Sequence, residues 1–328
     1  GNSFGELCAC PAGNHVGMTW YHGDNQERKG FTSMKKRIFC AVIFMAAGLV
    51  FGGCSASGFP SLSTYVYDNA DKYTMGNADL EADKITSIDI DWVSGEVKVG
   101  YHSEDTVSIS ETADKALKDE TTMYYYVDGD TLRVKFAKSG KSTPVKLNKE
   151  LTVWLPEGME LKEVGVDSIS ADVSVSGITA ERGKFNTISG DIAFEDVTCS
   201  GKVDFETTSG DITANFGGNL TELSADTVSG DIDLSIPGAE GLELDSTSGE
   251  IKLALQSLPD ALSVDTISGD VLLCLPKDAD FTIRLDTVSG SLDSELAMKK
   301  KGDDYVFGAG TKQYDVDTTS GDLKIEGK

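Results

Sequence analysis

The chain has 328 residues and a formal net charge of −25, from 29 basic and 54 acidic side chains. A surface so acidic repels nucleic acid and anionic lipid headgroups, which excludes a phosphate-gripping role and nucleic-acid partners. Val, Ile, Leu and Phe recur along the chain in a strict pattern, which excludes disorder, and the length suffices for one large domain or an elongated repeat array.

In chain order, residues 1–33 precede Met34 and show neither an apolar period nor an export signal. Glu27-Arg28-Lys29-Gly30 can be encoded wholly in purines a few codons before Met34, as a bacterial ribosome-binding site would be. The expectation is a non-native upstream extension, and Cys8, Cys10, His15 and His22 are set aside with it. Residues 34–54 then read as a signal peptide. Lys35-Lys36-Arg37 precedes the apolar run Ile38 to Phe51, which is short for a membrane span, and Gly52 and Gly53 lead to Cys54. This resembles the lipobox of bacterial lipoproteins, in which the cysteine sulfur carries the lipid; Phe51 stands where Leu is usual. An ordinary cleaved signal and an uncleaved anchor are the alternatives, and all three export the remainder of the chain. The lipobox implies lipidation at Cys54 and a place on the extracytoplasmic face of the cell membrane.

Residues 55–72 read as a tether, because Ser55 to Ser63 is rich in Ser and Gly. Residues 73–155 read as an irregular β-rich part. Ile85 to Val99 alternates around Trp92, Met123 to Phe136 forms a hairpin through Asp128-Gly129-Asp130, and Thr112 to Thr121 is either a short helix or a charged loop. Tyr65, Tyr67, Tyr73 and Tyr124 to Tyr126 suit cap packing better than glycan stacking. Regular coils are expected over 156–328, beginning near Pro156.

A small polar triplet recurs through the chain. It stands at Ser94-Gly95-Glu96, Ser170-Ala171-Asp172, Ser189-Gly190-Asp191, Ser209-Gly210-Asp211, Ser229-Gly230-Asp231, Ser248-Gly249-Glu250, Ser268-Gly269-Asp270, Ser289-Gly290-Ser291 and Ser320-Gly321-Asp322. From Ser170 onward the spacing stays near twenty residues until one long final step, which signals stacked coils. Both flanks of each triplet alternate with period two, as in Leu242 and Leu244 before Ser248 and Ile251 and Leu253 after it. Each coil therefore carries at least two strands with one face inward. The fold class is an all-β, single-stranded β-solenoid of about twenty residues per coil, following the period in the sequence.

The triplet reads as a corner. Glycine turns the chain cheaply, by a positive φ or a tight bend, while Ser and Asp can bond the free backbone groups. The structural turn residues are thus Gly95, Gly190, Gly210, Gly230, Gly249, Gly269, Gly290 and Gly321. Thr187, Thr207, Thr227, Ser246, Thr266, Thr287 and Thr318 should stack as a hydroxyl row. The pattern leaves open whether the residue before each serine points in or out. The long step holds Lys299-Lys300-Lys301 and reads as a hairpin covering the end of the stack. Cys199 and Cys274 fall about four coils apart, roughly 19 Å at strand spacing, and so read as separate packing residues rather than a disulfide.

Residues 73–328 resemble a family of candidate bacterial adhesins, long catalogued as a domain of unknown function and including LiaG-like proteins. The resemblance rests on Tyr73-Thr74-Met75-Gly76-Asn77, Ile88-Asp89-Ile90, the serial Thr-x-Ser-Gly-Asp marks and Tyr305-Val306-Phe307-Gly308. It implies a β-solenoid and an envelope location, and no catalytic residues.

Two acidic rows follow from the register. One is Asp172, Asp191, Asp211, Asp231, Glu250, Asp270 and Asp322; the other is Asp167, Glu206, Asp226, Asp245, Asp265, Asp286 and Asp317, interrupted by Asn186. Carboxylates about 4.8 Å apart can share Ca²⁺, with Asp191, Asp211, Asp231, Glu250 and Asp270 as the candidate ligands. The loose exchange of Asp, Glu, Asn and Ser between coils favours turn capping and solvated charge instead, and no cofactor is expected. His102 lies outside the regular coils, so neither a Ser-His-Asp relay nor a histidine zinc site fits them. The expected function is non-catalytic display of an acidic surface to an envelope protein or glycan. The alternatives are an accessory role in envelope-stress signalling and, less favoured, a carbohydrate-active β-helix enzyme.

Overall fold

The computed structural model describes residues 64–142 and 147–328. The signal peptide, Cys54 and the first half of the tether lie outside these residues. Strands dominate, and 24 of them join one continuous sheet that winds into stacked coils. Within a coil two strands meet at each mark, as Ala239–Ser246 and Ile251–Leu255 meet at Ser248-Gly249-Glu250. Both pair in parallel with their counterparts one coil away, with Leu244 opposite Val264 and Leu253 opposite Leu273.

Burial follows the period-two pattern. In Ile232–Ile236 the first, third and fifth residues are buried and the two between are only partly so. Inward side chains such as Leu223, Leu234, Leu244 and Leu253 form one core running the length of the stack, each contributing about 1.5–3 kcal/mol. Phe185, Phe194, Phe205 and Phe216 form an aromatic column within it, with centroids 4.7–6.4 Å apart in the edge-on and tilted pairs. Cys199 is buried and Cys274 half-buried, and both thiols are free.

The corner assigns a separate task to each residue of its motif. The buried threonine turns inward, where its Oγ1 accepts the glycine N–H three residues on: Thr207 from Gly210 at 3.0 Å, Thr227 from Gly230 at 3.0 Å and Thr266 from Gly269 at 3.0 Å. The serine hydroxyl donates to a carbonyl of the adjacent coil, Ser229 to Thr208 at 3.3 Å and Ser248 to Val228 at 3.2 Å. Aspartate accepts the N–H of its counterpart in the next coil, Asp211 from Asp231 at 2.8 Å. The residue before the serine is half-buried at most marks, with Val288 77% exposed at one extreme and Val93 buried in the core at the other.

Glycine is required for a reason other than the positive φ. Among the mark glycines only Gly95 has one, at 100°. Elsewhere the constraint is close approach. A Cβ on Gly230 would stand 1.8 Å from the carbonyl oxygen of Gly210, and one on Gly249 would stand 1.7 Å from that of Gly230. The same contact recurs at Gly190, Gly210, Gly269, Gly290 and Gly321. Ala171 is tolerated where the strand Glu160–Ser176 runs unbroken through its mark, opposite Gly95 of Ser87–His102.

The stack extends further toward the N-terminus than the regular spacing shows. Ser87–His102 is itself a coil, and Thr131–Lys135 with Lys149–Pro156 forms another on its far side. Insertions between these strands hide the period. Residues 114–123 form a loop without a helix. Antiparallel strands close this end, Tyr124–Asp128 on Thr131–Lys135 and Thr106–Ala113 on Lys149–Pro156. At the other end Asp304–Phe307 lies antiparallel on Phe281–Thr287 and is flanked by the exposed Lys299–Lys301, a charged edge that discourages further pairing.

Both ends depart from chain order. The last coil in sequence, Lys312–Thr318 with Leu323–Gly327, is inserted between Ala261–Thr266 with Val271–Leu275 and Phe281–Thr287 with Leu292–Ser294. Residues close to the C-terminus therefore sit in the core. Tyr314 is 1% exposed, stacks on Phe281 at 6.0 Å and donates its hydroxyl to the Pro259 carbonyl at 2.9 Å.

Two stability measurements check this account. Gly230→Ala should cost about 1–3 kcal/mol by overpacking, while Gly241→Ala, whose Cβ would meet nothing closer than 3.8 Å, should stay within about 0.5 kcal/mol. Tyr314→Ala should cost about 3–5 kcal/mol despite lying near the chain end, and Tyr314→Phe about 1 kcal/mol, both by denaturant unfolding.

Candidate functional site

The corner carboxylates proposed from the sequence as calcium ligands do come together in a file. Each aspartate among them commits one oxygen to the backbone. Asp172 accepts the N–H of Asp191 at 3.0 Å, Asp191 that of Asp211 at 2.9 Å, Asp231 that of Glu250 at 2.8 Å and Asp270 that of Asp322 at 2.9 Å.

The second acidic row extends to Asp91. Its register runs from Asp91 to Asp167, Asn186, Glu206, Asp226, Asp245, Asp265, Asp317 and Asp286. At strand spacing its members stand about 4.8 Å apart. Protein cations offset the N-terminal part. Carboxylate oxygens of Asp89, Asp91 and Asp167 lie within 4.8 Å of one another, with Lys135 paired to Asp91 and Arg133 to Asp89. Lys184 acts on Glu206, though burial and Asp226 still raise that carboxyl above its usual range.

Asp245 is the most enclosed member, 3% exposed. Burial first, then the Asp226 and Asp265 carboxylates, push its carboxyl up to about 8. Asp317 rises to about 6 through burial and then Asp265 and Asp286.

A cavity of about 310 Å³ opens beside the N-terminal end of this row. Tyr67, Tyr73 and Tyr126 wall it, together with Asp128, Arg133 and Lys135. The Tyr67 and Tyr73 rings are 4.8 Å apart and those of Tyr73 and Tyr126 are 5.5 Å apart. Burial raises the Tyr67 and Tyr73 phenols to about 12, so both are neutral hydrogen-bonding groups at physiological pH. Pairing of Thr74–Met75 with Tyr124–Asp128 brings these distant tyrosines together, whereas Tyr124 turns away to donate to the Asp119 carbonyl at 3.2 Å. Tyr65 packs edge-on against Tyr67 and bonds the backbone of Asp91 and Phe136.

One buried group escaped the sequence reading. Lys149 enters the core with its Nζ 2.6 Å from Glu111 and over the Trp92 and Phe136 rings, at 4.7 and 4.2 Å from their centroids. Parity could have found it, because Lys149 alternates in step with the inward Leu151, Val153 and Leu155. It joins the end coil to the capping strand and is enclosed away from solvent. His102, the one histidine among the described residues, ends its strand with Nε2 2.7 Å from the Thr106 carbonyl oxygen.

A pH dependence of stability follows from Asp245 and Asp317. Both stay protonated in the fold at pH values where an unfolded aspartate, with a pKa near 3.9, is already ionised. The folded state then binds more protons, so stability falls as pH rises from about 4 to about 8. Asp226, Asp265 and Asp286 on the flanking strands reinforce that sign. The denaturation midpoint in metal-free buffer should decline over this interval, and Asp245→Asn should remove most of the decline above pH 6.

No curated protein matches the chain. Among solved structures it is similar to a candidate lipid-binding protein from Parabacteroides distasonis, at 17% identity and a TM-score of 0.48, over 77% of this chain and 96% of that one. A candidate adhesin from Bacteroides fragilis aligns at 14% identity and a TM-score of 0.41, over 77% and 97%. One from Parabacteroides merdae aligns at 14% and 0.40, over 80% and 99%. The profile of the family described as Toastrack DUF4097 matches residues 85–326, from the first coil to the last strand. With the stacked β-coils and most of the chain so matched, the protein belongs to the Toastrack DUF4097 family.

Proposed function

We propose that this chain is a non-catalytic, lipid-anchored protein of the bacterial envelope that displays an acidic ribbed face for adhesion. The observation that supports this most is the second acidic row: carboxylates in register along one continuous stack, over nine successive positions interrupted only by Asn186 and at least partly exposed at each except Asp245. A ladder of near-identical groups on a rigid support favours many weak contacts acting together over one strong contact. The tyrosine-walled cavity offers a place where a sugar ring could stack, with Arg133 and Asp128 at its rim for hydroxyl groups. Anchoring would come from Cys54, and the acidic face would keep the rod clear of the anionic membrane surface.

The test is a binding and turnover assay on envelope material and purified polysaccharides, with the full chain presented singly and on multivalent beads. The reading expects retention on beads that exceeds single-copy binding by about 10²-fold or more. It also expects weakening by Tyr73→Ala and no release of reducing ends. Turnover abolished by one carboxylate substitution would instead make the protein an enzyme.

A further inference from the structure

The tyrosines of the N-terminal part divide by what their hydroxyls do. Tyr65 donates to the Asp91 carbonyl, Tyr101 to that of Met159 and Tyr124 to that of Asp119. Packing and a satisfied backbone group explain all three. Tyr73 and Tyr126 have no such partner for their hydroxyls among the described residues, and both are half-buried in the wall of the cavity. Their rings are held in place by the protein itself. Tyr73 lies 4.8 Å from Tyr67 and 5.5 Å from Tyr126, and the Lys72 ammonium covers Tyr126 at 5.5 Å from its centroid. Tyr67 is fixed in turn, since its N–H donates to Ser139 Oγ at 3.1 Å and that hydroxyl donates to its carbonyl at 3.3 Å. Rings in mutual contact leave no gap for a cation between them, so they make a platform for an apolar face instead of a cage. Such preformed walls lower the ordering cost of binding.

The polar side of the cavity selects by charge. Arg133 pairs with Asp89 and, through Nε at 3.3 Å, with Asp128, while the buried Lys135 pairs with Asp91. Asp68 adds a further carboxylate to the lining, so two cations stand among four carboxylates. A ligand anion entering here meets a negative field, and both cations already have carboxylate partners. A hydroxyl group faces no such barrier, because it both donates and accepts. Asp128 is exposed and can accept from it, and Arg133 keeps N–H groups beyond those on Nε and Nη1 that its ion pairs use. The volume, about 310 Å³, is at the low end of the roughly 300–1,000 Å³ of small-molecule sites, which suits one ring and not a chain segment.

Building on the stacking role given to this cavity, we propose that it binds a single neutral pyranose unit and turns away sugars that carry a carboxylate, sulfate or phosphate. The C–H face of the ring lies on Tyr73 and Tyr126, and neighbouring hydroxyls divide between the Asp128 carboxylate and the Arg133 guanidinium. Asp128 is the residue that sets the preference for neutral over acidic sugars.

Ligand-observed NMR titration of the full chain tests the site. The probes are the methyl glycosides of glucose, galactose and mannose, and the matching glucuronate, galacturonate and mannuronate. At least one neutral glycoside should saturate with Kd on the order of 10⁻³ M, and its acidic counterpart should bind at least about tenfold more weakly. Tyr73→Ala and Tyr126→Ala should each weaken the neutral sugar by about tenfold or more, and Tyr305→Ala, at the other end of the stack, by less than about twofold. Asp128→Asn should narrow the gap between neutral and acidic sugars, an effect that a merely structural role would not produce. Raising NaCl from about 0.05 to about 0.5 M should change the neutral-sugar affinity by less than about twofold. Circular dichroism establishes that each variant is folded. Absence of saturation by every neutral glycoside up to about 50 mM would overturn the site, as would equal or tighter binding of the acidic sugars or binding that survives both tyrosine substitutions. Multivalent bead retention that persists while single sugars fail would remove this site and leave the display function standing, and single-sugar binding without bead retention would do the opposite.

Discussion

The architecture depends on one steric constraint, the approach of each corner glycine to the backbone carbonyl at the corner of the neighbouring coil. A Cβ on Gly190, Gly210, Gly230, Gly249, Gly269, Gly290 or Gly321 would stand 1.7–2.0 Å from that oxygen, which leaves no room for any side-chain atom. The approach lets neighbouring coils bend at the same place, so that strands on both sides of the corner keep their hydrogen bonds in register. The polar residues around it then complete the joint. Threonine satisfies the glycine N–H from inside, while serine and aspartate tie adjacent coils together from outside. Removing one hydroxyl would leave one backbone group unpaired. Adding one methyl would push two coils apart, with the core of both exposed to the consequence.

A solenoid has two open ends, and here each is closed by a swap in stacking order as well as by antiparallel strands. The coil of Ser87–His102 lies inside the later coil of Thr131–Lys135 and Lys149–Pro156, and the last coil in sequence lies inside the one before it. The terminal segments are thereby held on both faces. At the N-terminal end the buried Lys149–Glu111 pair adds a polar lock. Such a pair need not raise stability over an apolar replacement, but breaking half of it leaves a charge in the core.

Much of this could be read from the sequence, for physical reasons that also mark where the reading stopped. Period-two alternation names the inward residues directly, and the Thr-x-Ser-Gly-Asp recurrence marks the corners. The role of the glycine was only half legible. Close approach between coils depends on stacking distance, a property of two segments at once, whereas positive φ belongs to a single residue and in fact holds only at Gly95 among the marks. The swapped ends left no trace in the pattern, because every coil offers nearly the same edge and insertions mask the spacing. Tyr67, Tyr73 and Tyr126 are far apart in the chain and meet only through strand pairing in the cap. Asp245 is indistinguishable in sequence from Asp226 and Asp265, so its enclosure emerges only in three dimensions.

The corners combine exposed side chains with backbone groups bonded between coils, and ordinary surface turns do not. Amide hydrogen exchange read at Gly210, Asp211, Gly230, Asp231, Gly249 and Glu250 tests this most directly. If the glycine contact holds the stack together, these amides exchange as one block with the buried strands around Leu234 and Leu253, at the rate of global unfolding. Exchange at the speed of a free turn, with the strands still protected, would show that the coils are joined by their strands alone and that the glycine contact is incidental.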